Sequence, residues 1–407
     1  MLKLNVLCLS EQIYPHASGA ELATYLYAKL LSESDFNVRV VTNRFPGESF
    51  FSQDGRLSIY RLPLYEKTGT VKYQVLGRVD VLFSGFLNKM LEWADVVYVP
   101  RFWFSTIPLA KAHGKPVITH LHDYIPICPL ASTFDSSTGL PCEGNRFICS
   151  PKCAYCYEKT SKRSFKEMFA SVALNSACGP LFSRLIGLSD AIICVAKAQK
   201  DIISRSGFFA SHKLSVVHNP VIDYSGLPLK GDGFGYFGGL DRAKGFQTLY
   251  RAAVCLNASS RPFKIHSTKI SNVTKECAAL LQKSGFVTYG KLEKKMYDEV
   301  YQKIRAVIVP SVWFEPWPYT IVEALLSGRY VIASRIGGIP EQVDTCKGVS
   351  LFEAGNSDQL KAAMNNVLNL DKSAVLELGF QNRQAFQRRF SNGDSLKQFV
   401  YVLESVT

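Results

Sequence analysis

The sequence predicts an α/β protein made of two domains, each built around a parallel β-sheet. At 407 residues the chain is too long for one simple core, which favours two domains of roughly 200 residues each. Short runs of β-branched residues alternate with helical patterns, as is typical of parallel strands joined by crossover helices. Apolar residues make up 47% of the chain and charged residues 20%, the proportions of a folded globular protein.

Predicted strands occur in both halves of the chain. The strands of the first half are Leu4–Cys8, Asn37–Thr42, Val96–Val99, Val117–His120 and Ala191–Val195. Those of the second half are Phe234–Phe237, Phe263–His266, Ala306–Val309 and Tyr330–Ala333. Two such series indicate twin Rossmann-like domains.

The first domain is predicted to span residues 1–218 and the second residues 219–389. Ser215–Asp223 is interpreted as the connector, because its Asn-Pro dipeptide favours a turn. The last segment, residues 390–407, has a helical pattern and is expected to pack back on the first domain.

Neither a membrane span nor a signal peptide is expected. No apolar run approaches the about 18–20 residues of a transmembrane helix. The first ten residues, Met1–Ser10, become polar too abruptly for a signal peptide and fit a first buried strand. We therefore expect a cytoplasmic protein.

The net charge is +13, and one group of basic residues is interleaved with aromatic residues and a methionine. The group consists of Lys152, Lys159, Lys162, Arg163 and Lys166. The segment is either the solvated face of a helix or a peripheral contact with anionic lipid at the cytosolic face of the membrane. Nucleic acid is not an expected partner, because no known binding motif accompanies the charge.

Two glutamates, Glu315 and Glu323, follow the predicted strand Ala306–Val309. Eight steps on a helix rise ~12 Å and leave two side chains within about a quarter turn of each other. One short helix, opened by Pro316 and Pro318, would then present both carboxylates to an elongated ligand such as a phosphate-containing sugar. The alternative is a first-turn acid, Glu315, followed by a solvated helix residue, Glu323.

Two glycine-containing loops follow other predicted strands of the second half. The loop Gly238–Gly245 contains Arg242 and Lys244, which can neutralise a diphosphate. The loop Arg335–Glu341 contains a second pair of adjacent glycines. Glycines allow the backbone to approach a phosphate closely. Together with the glutamate loop, these segments favour a ligand site over ordinary turns.

The first half supplies further candidates at the carboxyl ends of strands, where ligands bind in open α/β sheets. The segment Tyr14–Glu21 enters a helix through small residues, Gly19 among them. His122 and Asp123 follow the strand Val117–His120. A lone histidine is often structural, but at a strand end beside an acid His122 is an equal candidate for a functional role.

The stretch Phe314–Val343 resembles the signature of retaining glycosyltransferases of family 4, in the glycogen-synthase and mannosyltransferase-like group. It contains a Glu, seven residues, a second Glu followed by Ala, and a Gly-Gly-x-Pro-Glu loop. Gly238–Gly245 resembles the phosphate loop of that family, and Ser18–Glu21 and Thr119–Asp123 stand in the order of its amino-terminal domain. The resemblance implies the GT-B fold, in which the parallel sheets of two Rossmann-like domains face a central cleft.

The resemblance also implies roles for individual residues. Glu315 would meet the hydroxyls of the donor sugar, and His122 would contact that sugar near the reacting centre. Lys244 would stabilise the departing diphosphate without a metal, and Glu323 would meet the ribose. The other implied donor-binding residues are Gly238, Gly239, Arg242, Gly19, Gly337, Gly338 and Thr320.

The chain departs from the family pattern at three places. Gly239 stands where many members have arginine, and Pro318 stands where glycine is frequent. The first-domain loop has Gly19 followed by Ala20 instead of two glycines. The nucleotide base would lie near His266–Lys269 and Tyr289–Leu292, in loops without a recognisable pattern.

Four of the eleven cysteines cluster in one loop rich in Pro, Gly and Ser. They are Cys142, Cys149, Cys153 and Cys156. Four thiolates at this spacing could hold a structural zinc ion. The alternatives are redox-active disulfides or no special role, since cysteines in a cytoplasmic protein are expected to be reduced.

The leading hypothesis is a retaining, metal-independent hexosyltransferase. It would move a sugar from a nucleoside-diphosphate sugar to a glycan or lipid-linked acceptor in cell-envelope or glycoconjugate synthesis, with no cofactor required for catalysis. Two alternatives remain: a non-catalytic GT-B subunit that supports a partner glycosyltransferase, and a nucleotide-sugar epimerase.

Overall fold

The computed structural model describes residues 3–16, 19–62, 84–128, 131–142, 153, 155–156, 173, 180–224, 226–258, 262–268, 270 and 273–407. Contacts divide the chain into two compact units. Unit 1 consists of Met1–Ser137, Glu143–Pro220 and Asn392–Thr407, and unit 2 of Thr138–Cys142 and Val221–Ser391.

Unit 1 is built on a sheet of eight strands in the order β10-β9-β6-β5-β1-β2-β4-β3. All neighbours are parallel except β3 and β4. The strands are β1 (Leu4–Ser10), β2 (Phe36–Asn43), β3 (Phe51–Asp54), β4 (Leu57–Leu62), β5 (Val96–Arg101), β6 (Val117–Leu121), β9 (Ala191–Cys194) and β10 (Leu214–Val216). A separate short ribbon pairs β7 (Phe134–Asp135) with β8 (Leu140–Pro141).

The described helices of unit 1 follow its strands as crossover connections or flank the sheet. They are α1 (Gly19–Glu33), α2 (Gly85–Trp93), α3 (Ile107–Ala112), α4 (Lys197–Arg205) and α12 (Asn392–Glu404). Two short 3₁₀ helices, Trp103–Thr106 and Ser211–Lys213, also belong to this unit, and residues 180–187 are helical.

Unit 2 is built on a parallel sheet of six strands in the order β13-β12-β11-β14-β15-β16. The strands are β11 (Gly233–Tyr236), β12 (Ile265–Ser267), β13 (Phe286–Thr288), β14 (Ile304–Val309), β15 (Tyr330–Ser334) and β16 (Val349–Phe352). The helices are α5 (Phe246–Asn257), α6 (Lys275–Lys283), α7 (Lys294–Lys303), α8 (Tyr319–Leu326), α9 (Ile339–Val343), α10 (Ser357–Asn369) and α11 (Lys372–Arg389).

The central strands are buried along nearly their whole length because helices cover both faces of a parallel sheet. Every residue of β14 is buried, and so is every residue of β6 and β9. This burial explains why these strands read as continuous apolar runs. Within the described part of the chain, no helix is long and apolar enough to cross a membrane.

The predicted α/β architecture with two parallel sheets is confirmed, and all nine predicted strands are present with ends that differ by at most two residues. The connector prediction was wrong at its start, because Ser215 and Val216 belong to β10 and pair with β9. Within the two large sheets, strands β3, β4, β10, β13 and β16 were not predicted. Each lies toward the outside of its sheet, where alternating polar residues interrupt the apolar pattern.

Each sheet has one point where the strand order reverses. In unit 1 this switch point lies between β1 and β5, and in unit 2 it lies between β11 and β14. The loops that leave the carboxyl ends of two such strands run in opposite directions and leave a crevice between them. Polar residues immediately after these four strands are therefore the first place to look for ligand-binding groups.

The last helix, α12, contributes to the core of unit 1. Phe399 is fully buried, and its ring lies 5.1 Å from that of Tyr27 and 4.9 Å from that of Tyr98. Val402 and Leu403 belong to the same cluster of buried residues. The hydroxyl of Tyr27 donates to the carbonyl of His218 at 2.6 Å. This bond ties the end of the segment Glu143–Pro220 to the same core.

We predict that Phe399→Ala lowers the free energy of unfolding of unit 1 by about 3–5 kcal/mol, because it leaves a cavity in the core. Tyr401→Ala on the same helix is the matched control, since 74% of Tyr401 is exposed. Its effect should stay within about 0.5 kcal/mol. Urea unfolding followed by fluorescence measures both; equal effects would contradict the assignment of α12 to the core of unit 1.

Candidate functional site

Three loops of unit 2 meet at the switch point of its sheet. They follow β11 (Gly238–Gly245), β14 (Pro310–Pro318) and β15 (Arg335–Gly338). The amide of Val312 donates to the carbonyl of Ala243 at 2.9 Å, which joins the first two loops. The amide of Gly338 donates to the carbonyl of Glu315 at 2.7 Å, which joins the second and third.

Glycine is required at two of the contacts between these loops. Gly245 has φ +76°, and a Cβ there would lie 1.7 Å from the carbonyl oxygen of Pro310. Gly337 has φ +58°, and a Cβ there would lie 2.3 Å from the carbonyl oxygen of Glu315. A side chain at either position would push the loop that carries Glu315 away.

Glu315 is 3% exposed, and its carboxylate is held by two side chains. The Nζ atom of Lys244 and the Oγ atom of Ser311 each donate to Oε1 at 2.7 Å. Lys244 also lies over the ring of Trp313, with Nζ 4.8 Å from the ring centroid. Because 38% of its side chain is exposed, Lys244 can still receive an anion from solvent.

The expectation that one helix carries both glutamates was wrong. Helix α8 begins at Tyr319, so Glu315 lies in the preceding loop and only Glu323 is helical. The residue before a proline is disfavoured in the helical region, and Pro316 and Pro318 delay the start of the helix. The helical spacing argument therefore does not set the positions of the two carboxylates.

The carboxylate of Glu323 is held by phenols from the neighbouring helix α7. The hydroxyl of Tyr297 donates to Oε2 at 2.8 Å, and the hydroxyl of Tyr301 lies 3.5 Å from the same atom. Burial raises the pKa of both phenols, so they remain donors at any physiological pH. Thr320, also predicted to bind the donor, is the second residue of α8 and is half-buried.

The loop after β11 brings the remaining predicted phosphate-binding residues beside Lys244. A Cβ on Gly238 would lie 2.5 Å from the hydroxyl of Tyr236 and 2.9 Å from the Cβ of Lys244. Gly239 has φ +64°, a left-handed conformation that favours glycine. Arg242 is exposed on the same loop.

A hydrogen-bonded histidine–tyrosine pair lies at strands β12 and β13 of the unit 2 sheet. His266, in β12, lies with its Nδ1 2.9 Å from the hydroxyl of Tyr289, and the two rings are stacked. Burial lowers the pKa of His266 to about 4, with a smaller contribution from nearby lysines. The pair lies in the two segments where the sequence predicted base recognition, although Lys269 is outside the described residues.

In unit 1, His122 follows the end of β6, and its ring is stacked on that of His120 at 4.4 Å. Both ring nitrogens of His122 are shielded from solvent and have no hydrogen-bond partner among the residues that the structure describes. Burial, together with the nearby charge of Arg101, lowers its pKa to about 3. The imidazole is therefore neutral at physiological pH. Gly19 is the first residue of α1.

The sequence analysis did not predict a group of charged residues at the switch point of unit 1, which consists of Glu11, Glu21 and Arg101. Glu11 directly follows β1 and is 2% exposed, and burial raises the pKa of its carboxyl group to about 8. Arg101, at the end of β5, donates to Oε1 of Glu21 at 2.5 Å. The position of Glu11 immediately after an apolar strand was the signal that could have identified it.

The cysteine cluster is only partly within the described residues. Cys142 is exposed, Cys153 is buried and Cys156 is half-buried, while Cys149 lies outside them. The amide of Ser136 donates to Sγ of Cys153 at 3.4 Å. Within the described ranges, no group of three or more potential ligands could hold a metal ion, so structural zinc stays a prediction.

The basic segment with the proposed lipid contact also lies outside the described residues. None of Lys152, Lys159, Lys162, Arg163 and Lys166 is described. A peripheral membrane contact therefore stays a prediction of the sequence.

Comparisons with solved structures identify the fold. Sucrose-phosphate synthase from Thermosynechococcus elongatus matches 99% of this chain over 98% of its own length, with a TM-score of 0.70 and 14% identity. HepE from Anabaena, solved with UDP and glucose, matches the full length of both chains with a TM-score of 0.65 and 17% identity. These likenesses confirm the predicted GT-B fold.

A curated relative and two family models extend the comparison to sequence. A protein from Klebsiella pneumoniae, described as uncharacterized and in a cps region, is 22% identical over 355 residues, which are 83% of this chain and 87% of the relative. The model of glycosyl transferases group 1 matches residues 231–370. The model of glycosyltransferase family 4 matches residues 17–223, half of the chain. The chain thus belongs to glycosyltransferase family 4.

Proposed function

We propose that this protein transfers a hexosyl group from a nucleoside-diphosphate sugar to a glycan or lipid-linked acceptor, with retention of the anomeric configuration and without a metal ion. The observation that carries the proposal is the Lys244–Glu315 pair at the switch point of unit 2. A partly exposed ammonium beside a buried carboxylate offers one group for phosphate and one for sugar hydroxyls.

Lys244 is proposed to hold the diphosphate. Its ammonium group has three donors, and Glu315 uses one of them, so others remain for phosphate oxygens. The backbone of Gly238 and Gly239 permits close approach of the phosphates, and Arg242 adds an exposed charge. As the bond between C1 of the sugar and the diphosphate oxygen breaks, this positive charge stabilises the negative charge that develops on the leaving group.

Glu315 is proposed to orient the sugar. A carboxylate accepts hydrogen bonds only, and sugar hydroxyls supply donors. Its backbone is fixed by the amide of Gly338, and its side chain by Ser311 and Lys244. This rigidity favours a single orientation of the donor, which is what attack by the acceptor oxygen on the face of the departing diphosphate requires.

Glu323 is proposed to accept hydrogen bonds from the ribose hydroxyls, and Thr320, Gly337, Gly338 and Gly19 are proposed to line the donor. His122 is proposed to contact the donor sugar as a neutral imidazole, since its pKa is lowered to about 3. A neutral ring can donate from one nitrogen and accept at the other.

Two similar proteins support the glycan part of the proposal. The Klebsiella pneumoniae relative is described by its place in a cps region. A structural neighbour with a TM-score of 0.60 and 16% identity over 99% of both chains is a lipopolysaccharide outer core galactosyltransferase. Both point to synthesis of cell-envelope glycans as the setting.

The proposed activity predicts that the purified protein releases nucleoside diphosphate from at least one of the UDP-, GDP- and ADP-hexoses. Glu315→Gln and Lys244→Met should each lower kcat by about 10²- to 10³-fold, because each removes a preorganised polar group. Glu353→Gln is the control, since Glu353 pairs with Arg335 at the surface. Donor binding without turnover for every sugar would favour a non-catalytic subunit.

The same assay separates the two glutamates. Glu323→Gln should raise KM for the donor about tenfold while leaving kcat within about threefold, because a ribose contact binds the substrate and the transition state alike. An equal loss of donor affinity alone in Glu315→Gln and Glu323→Gln would contradict this division of roles.

We predict that the pH–rate profile between about pH 5 and 9 does not depend on the titration of His122. Its folded pKa is lowered to about 3 from 6.5, so the ring stays neutral over this range. His122→Asn should lower kcat without changing the apparent pKa values of the profile. His212→Asn, at an exposed histidine, should change neither.

The lowered pKa of His122 also predicts how the stability of the folded protein changes with pH. Because the folded pKa of His122 is depressed, the unfolded chain binds a proton first as the pH falls, and folded stability is lost between about pH 6.5 and 3. His122→Asn should therefore reduce the loss of Tm on acidification. A Tm that falls equally in both proteins on acidification would contradict the lowered pKa of His122. So would an acidic limb near pH 6.5 in the pH–rate profile that disappears only in His122→Asn.

Two glycine substitutions, compared with each other, test whether the loop after β15 positions Glu315. Gly337→Ala and Gly355→Ala both place alanine at a positive φ, which by itself costs about 1–2 kcal/mol of stability, and Gly337→Ala should cost more because of its clash with the backbone. A Cβ on Gly337 meets the backbone of Glu315 at 2.3 Å, whereas one on Gly355 meets only a side-chain carbon at 3.9 Å. Only Gly337→Ala should lower nucleotide release at least tenfold; equal activities would exclude this positioning role.

A further inference from the structure

Three aromatic side chains of unit 2 pack against one another beside Glu323. We call them the aromatic cluster: Phe237, Tyr297 and Tyr301. The ring of Phe237 lies 5.0 Å from that of Tyr297 and 5.2 Å from that of Tyr301, and the two phenol rings lie 5.2 Å apart. The rings of Phe237 and Tyr301 are parallel within 2°. Each ring therefore contacts both of the others.

The aromatic cluster contacts both of the loops or helices that carry the proposed donor-binding residues. The hydroxyls of Tyr297 and Tyr301 lie 2.8 Å and 3.5 Å from Oε2 of Glu323 on helix α8. Phe237 directly precedes Gly238, the first residue of the loop that carries Lys244. The cluster thus connects the carboxylate proposed for the ribose with the loop proposed for the diphosphate.

The cluster is itself held firmly within unit 2. Tyr301 is fully buried, and its carbonyl accepts a hydrogen bond from Nε of Arg329 at 3.0 Å. The guanidinium of Arg329, which is 1% exposed, also donates to the carbonyls of Leu227 and Pro228 at 3.0 Å each. A phenol fixed in this way supports the carboxylate from a rigid base.

Packing alone does not explain why two members of the cluster are tyrosines. Phenylalanine would supply the same rings, as Phe237 does, without a hydroxyl that needs a partner when it is buried. Both hydroxyls are directed at the same oxygen of Glu323. A carboxylate offers about four acceptor positions, so it can take hydrogen bonds from two phenols and from a ligand as well.

The phenols reduce what binding must order. A long side chain such as Glu323 loses rotamer freedom when a ligand fixes it, and that loss weakens binding. Because the phenols already hold the carboxylate, a ligand whose hydroxyls bond to Glu323 avoids much of this loss. A ligand that lacks those hydroxyls gains nothing from the arrangement, so the phenols also favour one class of ligand over another.

We propose that Tyr297 and Tyr301 are positioning residues that hold Glu323 for the hydroxyls of a ribose, and that Phe237 ties this carboxylate to the loop of Lys244. The donor is accordingly a ribonucleoside-diphosphate sugar, and deoxynucleoside-diphosphate sugars are poor donors. This inference rests on the proposed function, because it concerns the nucleoside of the same donor.

The test measures nucleotide affinity by calorimetry on the full chain. Whichever of UDP, GDP and ADP binds most tightly is compared with its 2′-deoxy and 3′-deoxy counterparts and with its monophosphate. The larger of the two deoxy-to-ribo Kd ratios is the ribose ratio, and the monophosphate-to-diphosphate Kd ratio is the phosphate ratio. In the unmodified protein both should be at least about tenfold, since each removed group is bonded to a charged side chain.

Tyr297→Phe should lower the ribose ratio about three- to tenfold, which is the effect of having to order one side chain on binding. The phosphate ratio should stay within about twofold, because only a hydroxyl near Glu323 is lost. Tyr301→Phe should act in the same direction but less, since its hydroxyl is farther from Oε2. Tyr330→Phe is the matched control: its hydroxyl lies 2.9 Å from Oγ of Ser350, and its loss should change neither ratio.

Phe237→Leu tests the connection to the loop of Lys244. It keeps an apolar side chain but removes the stacked ring directly before Gly238, so both ratios should fall at least about threefold. Phe263→Leu is the control, because Phe263 is another core ring of unit 2 with the same 7% exposure, and it should change neither ratio. Should Phe237→Leu fail to fold, Tyr297→Phe, which keeps the ring, decides the matter.

Equal losses of ribonucleotide and deoxynucleotide affinity in Tyr297→Phe would overturn the inference, because the phenol would then serve only the fold. An unchanged ribose ratio in Tyr297→Phe, with a lowered one in Glu323→Gln, would overturn it and leave the proposed function intact. A fall of the ribose ratio alone in Phe237→Leu would overturn the connection to the loop.

Failure of the proposed function is distinguishable from these outcomes. If the ratios change as expected but no sugar donor releases its nucleoside diphosphate, the aromatic cluster positions Glu323 in a protein that binds nucleotides without turning them over. If no ribonucleotide binds at all, both the inference and the proposed function are overturned.

Discussion

The carboxylate of Glu315 is buried, and the ion pair that it makes with Lys244 ties the loops around it together. A buried carboxylate that loses its cation is costly to a folded protein, although solvent at the partly exposed Lys244 reduces that cost here. The loops after β11 and β14 must therefore stay in register for Glu315 to keep its cation. The backbone bond from Val312 to Ala243, the contact of Gly245 with Pro310 and the bond from Gly338 to Glu315 all serve that register.

The same constraint explains one departure from the family pattern. Gly239, where arginine is frequent in the family, has φ +64°. An arginine at this position would have to adopt a left-handed conformation that costs about 1–2 kcal/mol for residues other than glycine. The second departure, Pro318, stands at the N-cap of α8 with φ −71°, which proline adopts without strain. Neither substitution disturbs the contacts of Glu315 or Glu323.

The strand ends could be predicted from the sequence, and the contacts between them could not. Apolar runs mark β14 and β15, so the positions of Glu315 and of the glycine pair after β15 follow from order along the chain. The lysine that pairs with Glu315 precedes it by 71 residues, and the tyrosine Tyr297 precedes Glu323 by 26 residues. No local pattern links such pairs, because they meet only after the sheet has formed. Proline chemistry was underestimated, which is why Glu315 was expected on the helix.

The outer strands were also difficult to predict from local sequence patterns. Phe51–Asp54 pairs with Leu57–Leu62 in the only antiparallel contact of the large unit 1 sheet, among the strands described. The two segments are short and alternate in polarity, so neither gives the continuous apolar signal of a central strand. Glu11 was missed for a related reason: its position after an apolar strand marks it as a candidate, but its neighbours Arg101 and Glu21 become known only from the folded sheet.

The return of α12 to unit 1 has a consequence for synthesis of the chain. Unit 2 is complete, apart from the short segment Thr138–Cys142, once Ser391 has been made. Unit 1 still lacks Phe399, Val402 and Leu403 at that moment, although most of its chain was made first. Domains commonly fold in the order in which they emerge from the ribosome. Here unit 1 must wait for Asn392–Thr407, so its apolar face beside Tyr27 stays uncovered until that segment has been made.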